Sequence, residues 1–465
     1  MAGAKDMDRK YCVIGAGASG LAIAKTFKQR GIPFDCVERE HDVGGLWNAA
    51  TASGVVYKTC HMVSSKEFTS FEDFPFPDDY PAYPSHAQAV DYLRGYAREF
   101  GVLDKIEFGK VVERIAPDDN GWQVRIAGES SPRRYTGVVV ANGHHEEPRW
   151  PSYPGVFTGE MIHSRAYKGP EQLAGKRVLL IGAGNSGCDI AIDGVHHAAS
   201  ILHSMRRGYY FVPKFTFGRP TDEVVSLSER LRCPRWLKQR IYWFVNRLLV
   251  GPAKRFGLPA PEQSILDTHP TISSEVPGLV AHGRIQIKPD VAAFDGRQVR
   301  FVDGSEAEVD MVICATGYRM RFPFMDEKLL LDEKRQPKLY LNVFHPERDD
   351  LFAVGLVQAN GSIWRLADQQ SRLVASYIVA MAHDSAKAAW FRKLKSAGAT
   401  RAAGRHAFVE SARHKLEHDF YEYHRALKRL VRKFGDCAEA KLRQPSPARA
   451  EARRVAPADG SMRAA

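Results

Sequence analysis

Between residues 10 and 38 the chain runs from a short apolar segment, Lys10–Ile14, into Gly15-Ala16-Gly17-Ala18-Ser19-Gly20. A helical pattern follows, and then a second apolar segment, Phe34–Glu38, that ends in an acid. Few folds accept three glycines at that spacing between a strand and a helix. Gly15 permits the tight turn, Gly17 lets backbone approach a pyrophosphate, and Gly20 lets helix and strand pack closely. The helix N-terminus then offers free N–H groups and a positive dipole end to phosphate. This predicts a βαβ dinucleotide site. Glu38 is placed to accept from the 2′-hydroxyl of an unphosphorylated ribose, as FAD or NAD carries.

The plan recurs further along. Arg177–Ile181 leads into Gly182-Ala-Gly184-Asn185-Ser186-Gly187, a helical pattern, and a strand Ser200–Ser204 followed by Met205-Arg206-Arg207. Here the strand ends in a hydroxyl and two cations, which suit the extra phosphate of NADP, whereas a carboxylate would repel it. The first loop is therefore expected to take an unphosphorylated ribose, of FAD or NAD, and the second NADP(H). A third element, Asp310–Gly317, follows an apparent hairpin at 297–310. Its small-residue turn lets backbone come near a cofactor or a neighbouring strand.

Composition narrows the function classes. At 465 residues the chain is too long for one core, so more than one domain is expected. More than half of the net charge of +12 falls beyond residue 399, with no basic stripe elsewhere, which argues against a nucleic-acid partner. The last twenty or so residues, rich in Ala, Arg and Pro, read as a disordered basic tail. The seven cysteines (Cys12, Cys36, Cys60, Cys188, Cys233, Cys314, Cys437) form no CxxC pair and no Cys/His ligand spacing. Neither a metal site nor a redox disulfide is expected, and a reducing, cytoplasmic setting fits. The apolar run at Tyr11–Ile14 reads as a core strand and not as a signal peptide. No apolar run approaches the roughly 18 residues of a membrane span, so no stable membrane anchor is expected. Nothing in the pattern indicates an oligomeric state.

Between the two loops, Phe157-Thr-Gly159-Glu-Met-Ile-His163-Ser-Arg-Ala-Tyr167 fits FxGxxxHxxxY. With this element the chain resembles the flavin-containing monooxygenases, from about Tyr11 to about Tyr377. The likeness includes Gly44–Trp47, Ser65–Glu67, Asp73–Pro77, Gly182–Asp189 and His269–Ser274. Ending the motif in Tyr167 resembles the N- and S-oxygenating branch more than the Baeyer–Villiger enzymes. His163 reads as a structural histidine of the linker in preference to a catalytic one.

The resemblance implies an α/β fold with two Rossmann-like dinucleotide-binding domains, the NADP domain inserted in a discontinuous FAD domain. The corresponding division is 8–155 for the first part of the FAD domain and 156–319 for the NADPH domain with a helical insertion. Residues 320–435 complete the FAD domain, and 436–465 form the tail. The implied chemistry is reduction of FAD by NADPH, addition of O2, and a C4a-hydroperoxyflavin that oxygenates a soft nitrogen or sulfur centre of a small molecule. The cofactor carries the reaction while the protein positions it and excludes water. Carried over by position, Gly15, Ala16, Gly17, Ala18, Ser19 and Gly20 would cradle the FAD pyrophosphate, and Glu38 would hold its ribose. Gly45, Leu46 and Trp47 would lie along the flavin. Gly182, Gly184, Asn185, Ser186 and Gly187 would hold the NADP pyrophosphate, and Ser204, Arg206 and Arg207 its 2′-phosphate.

One departure stands out. The family commonly reads Thr-Asn-x-Ser-Lys-Glu, and this chain has Met62-Val63-Ser64-Ser65-Lys66-Glu67. Val63 falls where the Asn would stand and cannot donate a hydrogen bond. Ser64 becomes the candidate catalytic residue that supplies the missing contact, with His61 as the other polar neighbour.

Three further segments carry expectations. Val224–Val250 has helical spacing with aromatic and basic residues. It suits a helical subdomain on the NADP domain, or a surface that lies on a membrane or covers the active site. Leu351–Gly355 reads as a strand, with a helix from about Trp364 whose N-terminus would face the reduced flavin. Residues 412–435 read as an amphipathic helix. Two other functions remain in view: a Baeyer–Villiger monooxygenase acting on a ketone, and a redox sensor that binds FAD and NADP(H) without turnover.

Overall fold

Strands buried on both faces carry continuous apolar runs, and two such sheets organise the chain. The computed structural model describes residues 10–230, 233–267, 270–398 and 416–435. The first sheet is ordered 351–353, 137–140, 11–14, 34–37, 106–107, all parallel, with Tyr11 opposite both Phe34 and Gly137. The second is ordered 160–163, 311–314, 177–181, 200–204, 286–288, also parallel, with Ile181 opposite both Ser204 and Cys314.

Side chains of each sheet alternate between two cores, as the twofold strand period requires. Tyr11, Val13, Cys36, Val139 and Phe352 face helices, among them α1 (Ala18–Gln29). Cys12, Ile14, Val37, Val138 and Val140 face a three-stranded antiparallel meander built from 112–118, 121–126 and 133–135. The second sheet repeats this layering. Val178, Leu180, Ile201 and Ile313 meet helix α2 (Asn185–His197). Leu179, Ile181, Leu202 and Val312 meet the antiparallel strands 291–296 and 298–301, and the latter pairs with 306–308 as the expected hairpin.

The region after the second sheet's Ser200–Ser204 strand carries α3 (Thr221–Arg230) and α4 (Arg235–Leu249). The strand Leu351–Ala353 then returns to the first sheet, and α5 (Ile363–His383) packs along α1. Between these two helices lies a buried ion cluster. The Lys25 Nζ, on a residue 1% exposed, is 2.7 Å from Asp73 Oδ2 and 2.7 Å from Asp368 Oδ1, and Arg372 holds the other oxygen of Asp368 at 2.8 Å. The amphipathic segment near the C-terminus is helical over Phe420–Lys433. The 436–465 segment, including Cys437, lies outside the described residues.

Candidate dinucleotide and flavin site

Both glycine loops sit at the carboxyl ends of their strands, where ligands bind in open parallel sheets. In each sheet the chain goes from the glycine strand to one neighbour and returns to the other, so the loop occupies the switch point. The two turns match in detail. Gly15 and Gly182 have φ of +105° and +107°, and a Cβ there would lie 2.7 and 2.5 Å from the carbonyl oxygens of Ala141 and Ala315. Only glycine fits such a turn. Gly15 N donates to Val37 O at 2.8 Å and Gly182 N to Ser204 O at 3.1 Å. A Cβ on Gly20 or Gly187 would collide with the first glycine's own carbonyl at 1.8 or 2.0 Å, which is the close helix–strand packing expected of the third glycine.

The middle glycines differ from these. Among the described residues, the atom nearest beyond Gly17 is Gly45 Cα at 3.8 Å, and beyond Gly184 there is nothing within 4 Å. The following helices begin at these residues with no side-chain cap on their first N–H groups. Each loop thus presents backbone donors to open space shaped for a pyrophosphate, and the residues present fit the two dinucleotides. The turn Gly45–Trp47 docks onto the first loop, with Gly44 N donating to Ala16 O at 3.2 Å. The Trp47 ring meets Trp364 of α5 edge-on at 6.2 Å.

The strand ends differ as their sequences do. Glu38 is buried, and its carboxylate accepts from Ala16 N of the glycine loop at 2.5 Å and from Glu40 N at 3.0 Å. The acid is therefore pinned to the loop it serves. At the other site Arg206 and Arg207 are exposed, and among the described residues no carboxylate lies within pairing distance of either. Ser204 is only 2% exposed, and its hydroxyl donates to Pro289 O at 2.8 Å. Asn185 accepts from Ile272 N at 3.2 Å and Thr271 donates to Ala183 O at 3.0 Å, so the 270–274 segment braces the second loop. His269 of that motif lies outside the described residues.

His163 ends its strand with Nδ1 accepting from Arg165 N at 3.2 Å, which leaves Nε2 to donate to Gly317 O at 3.0 Å. Burial lowers its pKa, so it stands as a neutral bracket beneath the Ala315–Gly317 turn. Tyr167 donates to Asp193 of α2 at 2.8 Å.

A tether connects the two sites. Tyr57 donates to Asp189 at 2.8 Å, and Thr59 to Asp193 at 2.6 Å. From the other side Lys168 reaches Gly54 O and Arg165 reaches Ala52 O, both at 2.9 Å. Burial raises the Asp189 carboxyl to about 6, although the Tyr57 hydroxyl and the Lys214 charge pull it back. The chain then continues from this tether into Val63 and Ser64. Val63 is 38% exposed. The Ser64 hydroxyl is half-buried and 2.7 Å from Thr69 Oγ1, and Thr69 O accepts from Ser362, the cap of α5, at 3.0 Å.

Sequence reasoning missed Asp222, in the first turn of α3. One of its oxygens accepts from Ser65 N at 2.6 Å, and the other is buried without a hydrogen-bond partner among the described residues. The acid at a helix start was a visible capping signal, but nothing in the sequence joined positions 222 and 65. Among the described residues no cluster of His, Cys, Asp or Glu could hold a metal, and no helix is long and apolar enough to cross a membrane.

The flavin-binding monooxygenase-like family matches residues 8–449. Flavin-containing monooxygenase 5 of Rattus norvegicus is 34% identical over 441 residues, spanning 89% of this chain and 81% of the relative. The fold matches that of an S-allyl-L-cysteine S-oxygenase from Allium sativum, with TM-score 0.62, 21% identity, and 96% and 98% of the two chains covered. It also matches an open cyclohexanone monooxygenase, with TM-score 0.65, 17% identity, and 94% and 99% covered. Two glycine turns of matching geometry stand beside these likenesses over nearly the whole chain, and the likenesses show that it belongs to the flavin-containing monooxygenase family, FAD- and NADPH-dependent oxidoreductases that consume O2.

Proposed function

We infer that the chain oxygenates a soft nitrogen or sulfur centre of a small molecule, at the expense of NADPH and O2. The observation that carries this reading is the contrast between two matching loops: a buried Glu38 fixed on the first, and beside the second two exposed arginines that pair with no carboxylate among the described residues. One loop suits a free ribose and the other a phosphorylated one. An enzyme that reduces FAD with NADPH needs that pair.

When bound, the flavin supplies electron transfer and oxygen activation; the side chains bind, orient and shield. In this reading Gly15–Gly20 hold the FAD pyrophosphate, Glu38 its ribose, and Gly45–Trp47 the flavin flank. Gly182–Gly187 hold the NADP pyrophosphate and Arg206 and Arg207 its 2′-phosphate. With its hydroxyl engaged by Pro289 O, Ser204 contributes by shaping the strand end beneath those cations. Ser64 supplies the polar contact that Val63 lacks, and Asp222 holds the segment in place through Ser65 N. The division into 8–155, 156–319 and 320–435 follows the strands of the two sheets. Among the described residues no two cysteines form a disulfide and four of the six are buried, in keeping with a reducing cytoplasm.

The test is NADPH oxidation by the purified yellow enzyme with a thioether, a tertiary amine and a cyclic ketone, with product and H2O2 both quantified. Sulfoxide or N-oxide in step with NADPH use is expected. Lactone as the sole product would replace this reading with a Baeyer–Villiger one. A flavin that NADPH fails to bleach would point to a sensor.

A further inference from the structure

Tyr57 belongs to the first sheet's unit by sequence and to the second sheet's core by packing. It falls between the strands 34–37 and 106–107 of the first sheet, yet its ring is buried with Leu180, Ile190 and Ile313 of the second. The Tyr167 ring meets it edge-on at 5.4 Å. The Tyr57 and Thr59 hydroxyls then reach Asp189 and Asp193, which stand one turn apart on one face of α2, the helix that begins at the second glycine loop. Asp193 Oδ2 accepts twice, from Thr59 at 2.6 Å and from Tyr167, the last residue of the FxGxxxHxxxY motif, at 2.8 Å. Lys58 N adds a backbone bond to Lys168 O at 2.9 Å. In the other direction Val55 N donates to Leu46 O at 3.1 Å. Only Val56 separates that bond to the Gly45–Trp47 turn from the buried Tyr57 ring.

We propose that Tyr57 and Thr59 are positioning residues for the hydride step, holding the Gly45–Trp47 turn at a fixed distance from α2. The inference rests on the proposed function, with FAD at the first loop and NADPH at the second. In that step a hydrogen leaves the nicotinamide with both electrons of its C–H bond and passes to the flavin ring, so the one is oxidised as the other is reduced. A misplacement of about 1 Å can slow such a transfer on the order of a hundred-fold. Each glycine loop holds a pyrophosphate against its own sheet, and the register between the sheets needs a separate support. The Tyr57 ring supplies it as a peg in the second core, and the two carboxylates of α2 stop the peg from turning or sliding. A role in packing alone would need the ring of Tyr57 and not its hydroxyl, so the two roles separate at a single oxygen atom.

The test uses the full-length, flavin-loaded protein with Y57F, T59V and the two combined, each change removing a hydroxyl and keeping the shape. In stopped flow at saturating NADPH, flavin bleaching should slow roughly three-fold in each single variant and roughly ten-fold in the double one. The half-saturating NADPH concentration should stay within about two-fold of the parent's. T59S should bleach at the parent's rate. So should K58M, which breaks only the surface pair with Glu171. Calorimetry adds a readout free of turnover. The parent should unfold in one transition that NADP+ raises as a whole, whereas in the double variant NADP+ should raise one part of a split transition. An unchanged bleaching rate, an unsplit transition, or equal slowing in K58M would each overturn the proposal. So would a rise in half-saturating NADPH that matches the loss of rate, since the tether would then serve binding. Failure of NADPH to bleach the parent would sink this proposal and the proposed function together. A parent that bleaches normally but oxygenates neither thioether nor amine would sink the function alone.

Discussion

Replacing Arg206 and Arg207 by alanine, singly and together, should separate the two nicotinamide nucleotides. Both guanidinium groups are exposed and, among the described residues, pair with no carboxylate, so their removal breaks no internal ion pair and leaves no buried charge behind. A hydrogen bond to a charged group contributes about 1.5–3 kcal/mol, and solvent screening at an exposed site trims that to about 1–2 kcal/mol per arginine. At 1.4 kcal/mol per decade, each substitution weakens NADPH roughly five- to thirty-fold, and the double variant on the order of a hundred-fold. NADH has no 2′-phosphate and should be nearly unaffected, which makes it the internal control. Stopped-flow reduction of the flavin against concentration of each nucleotide gives both constants, and raising the salt should shrink the NADPH effect alone. If NADPH and NADH weaken equally, the arginines act on the loop and not on the phosphate, and the assignment of the second site fails.

Three other changes probe different layers. Asp189 holds its proton to about pH 6 when folded, against about 4 when unfolded. Between those values the unfolded chain ionises and the folded one does not, so stability should fall as pH rises through this window, by about 3 kcal/mol at most, and stay level above it. In D189N, urea midpoints measured from pH 4 to 7.5 should lose that slope; an unchanged slope would assign it elsewhere. Replacing the buried Lys25 by Met leaves Asp73 and Asp368 facing each other and should cost about 3–5 kcal/mol by urea melting. Lys10→Met, at a surface pair with Asp35, should cost less than about 1 kcal/mol, and equal losses would show that burial is not the cause. Ser64→Ala should raise the H2O2 share of NADPH turnover roughly five-fold, the worth of about one hydrogen bond. Unchanged H2O2 and product yields would remove Ser64 from the active site.

What the sequence made legible was local. Strand, glycine turn, helix and second strand all fall within about thirty residues, and both units could be read that way, from Tyr11 to Val37 and from Arg177 to Ser204. The hairpin at 298–308 was legible for the same reason. Contacts that close over long separations were not. Asp222 reaches Ser65 across 157 positions, and Lys25 reaches Asp368 across 343. Ser204 illustrates the point from the other direction. Its position at the strand end was correctly anticipated, but Pro289, 85 residues on, takes its hydroxyl. Helix α4 was recognisable by its spacing, yet which side faced inward depended on partners in α3 and at Asp267. A hydrophobic stripe ordinarily points to the core, and here the hydrogen bonds of the polar side decide otherwise.

The near-superposable turns at Gly15 and Gly182 bear on how such a protein changes over time. Their backbones answer to the same steric demands, set by Ala141 on one side and Ala315 on the other, so neither turn tolerates drift. What distinguishes them rests on a handful of side chains downstream, which can vary without disturbing the turn. Nucleotide preference at either site is thus separable from foldability. On the proposed assignment, changes at positions 206 and 207 retune one cofactor while the other stays fixed, with the glycines held constant throughout.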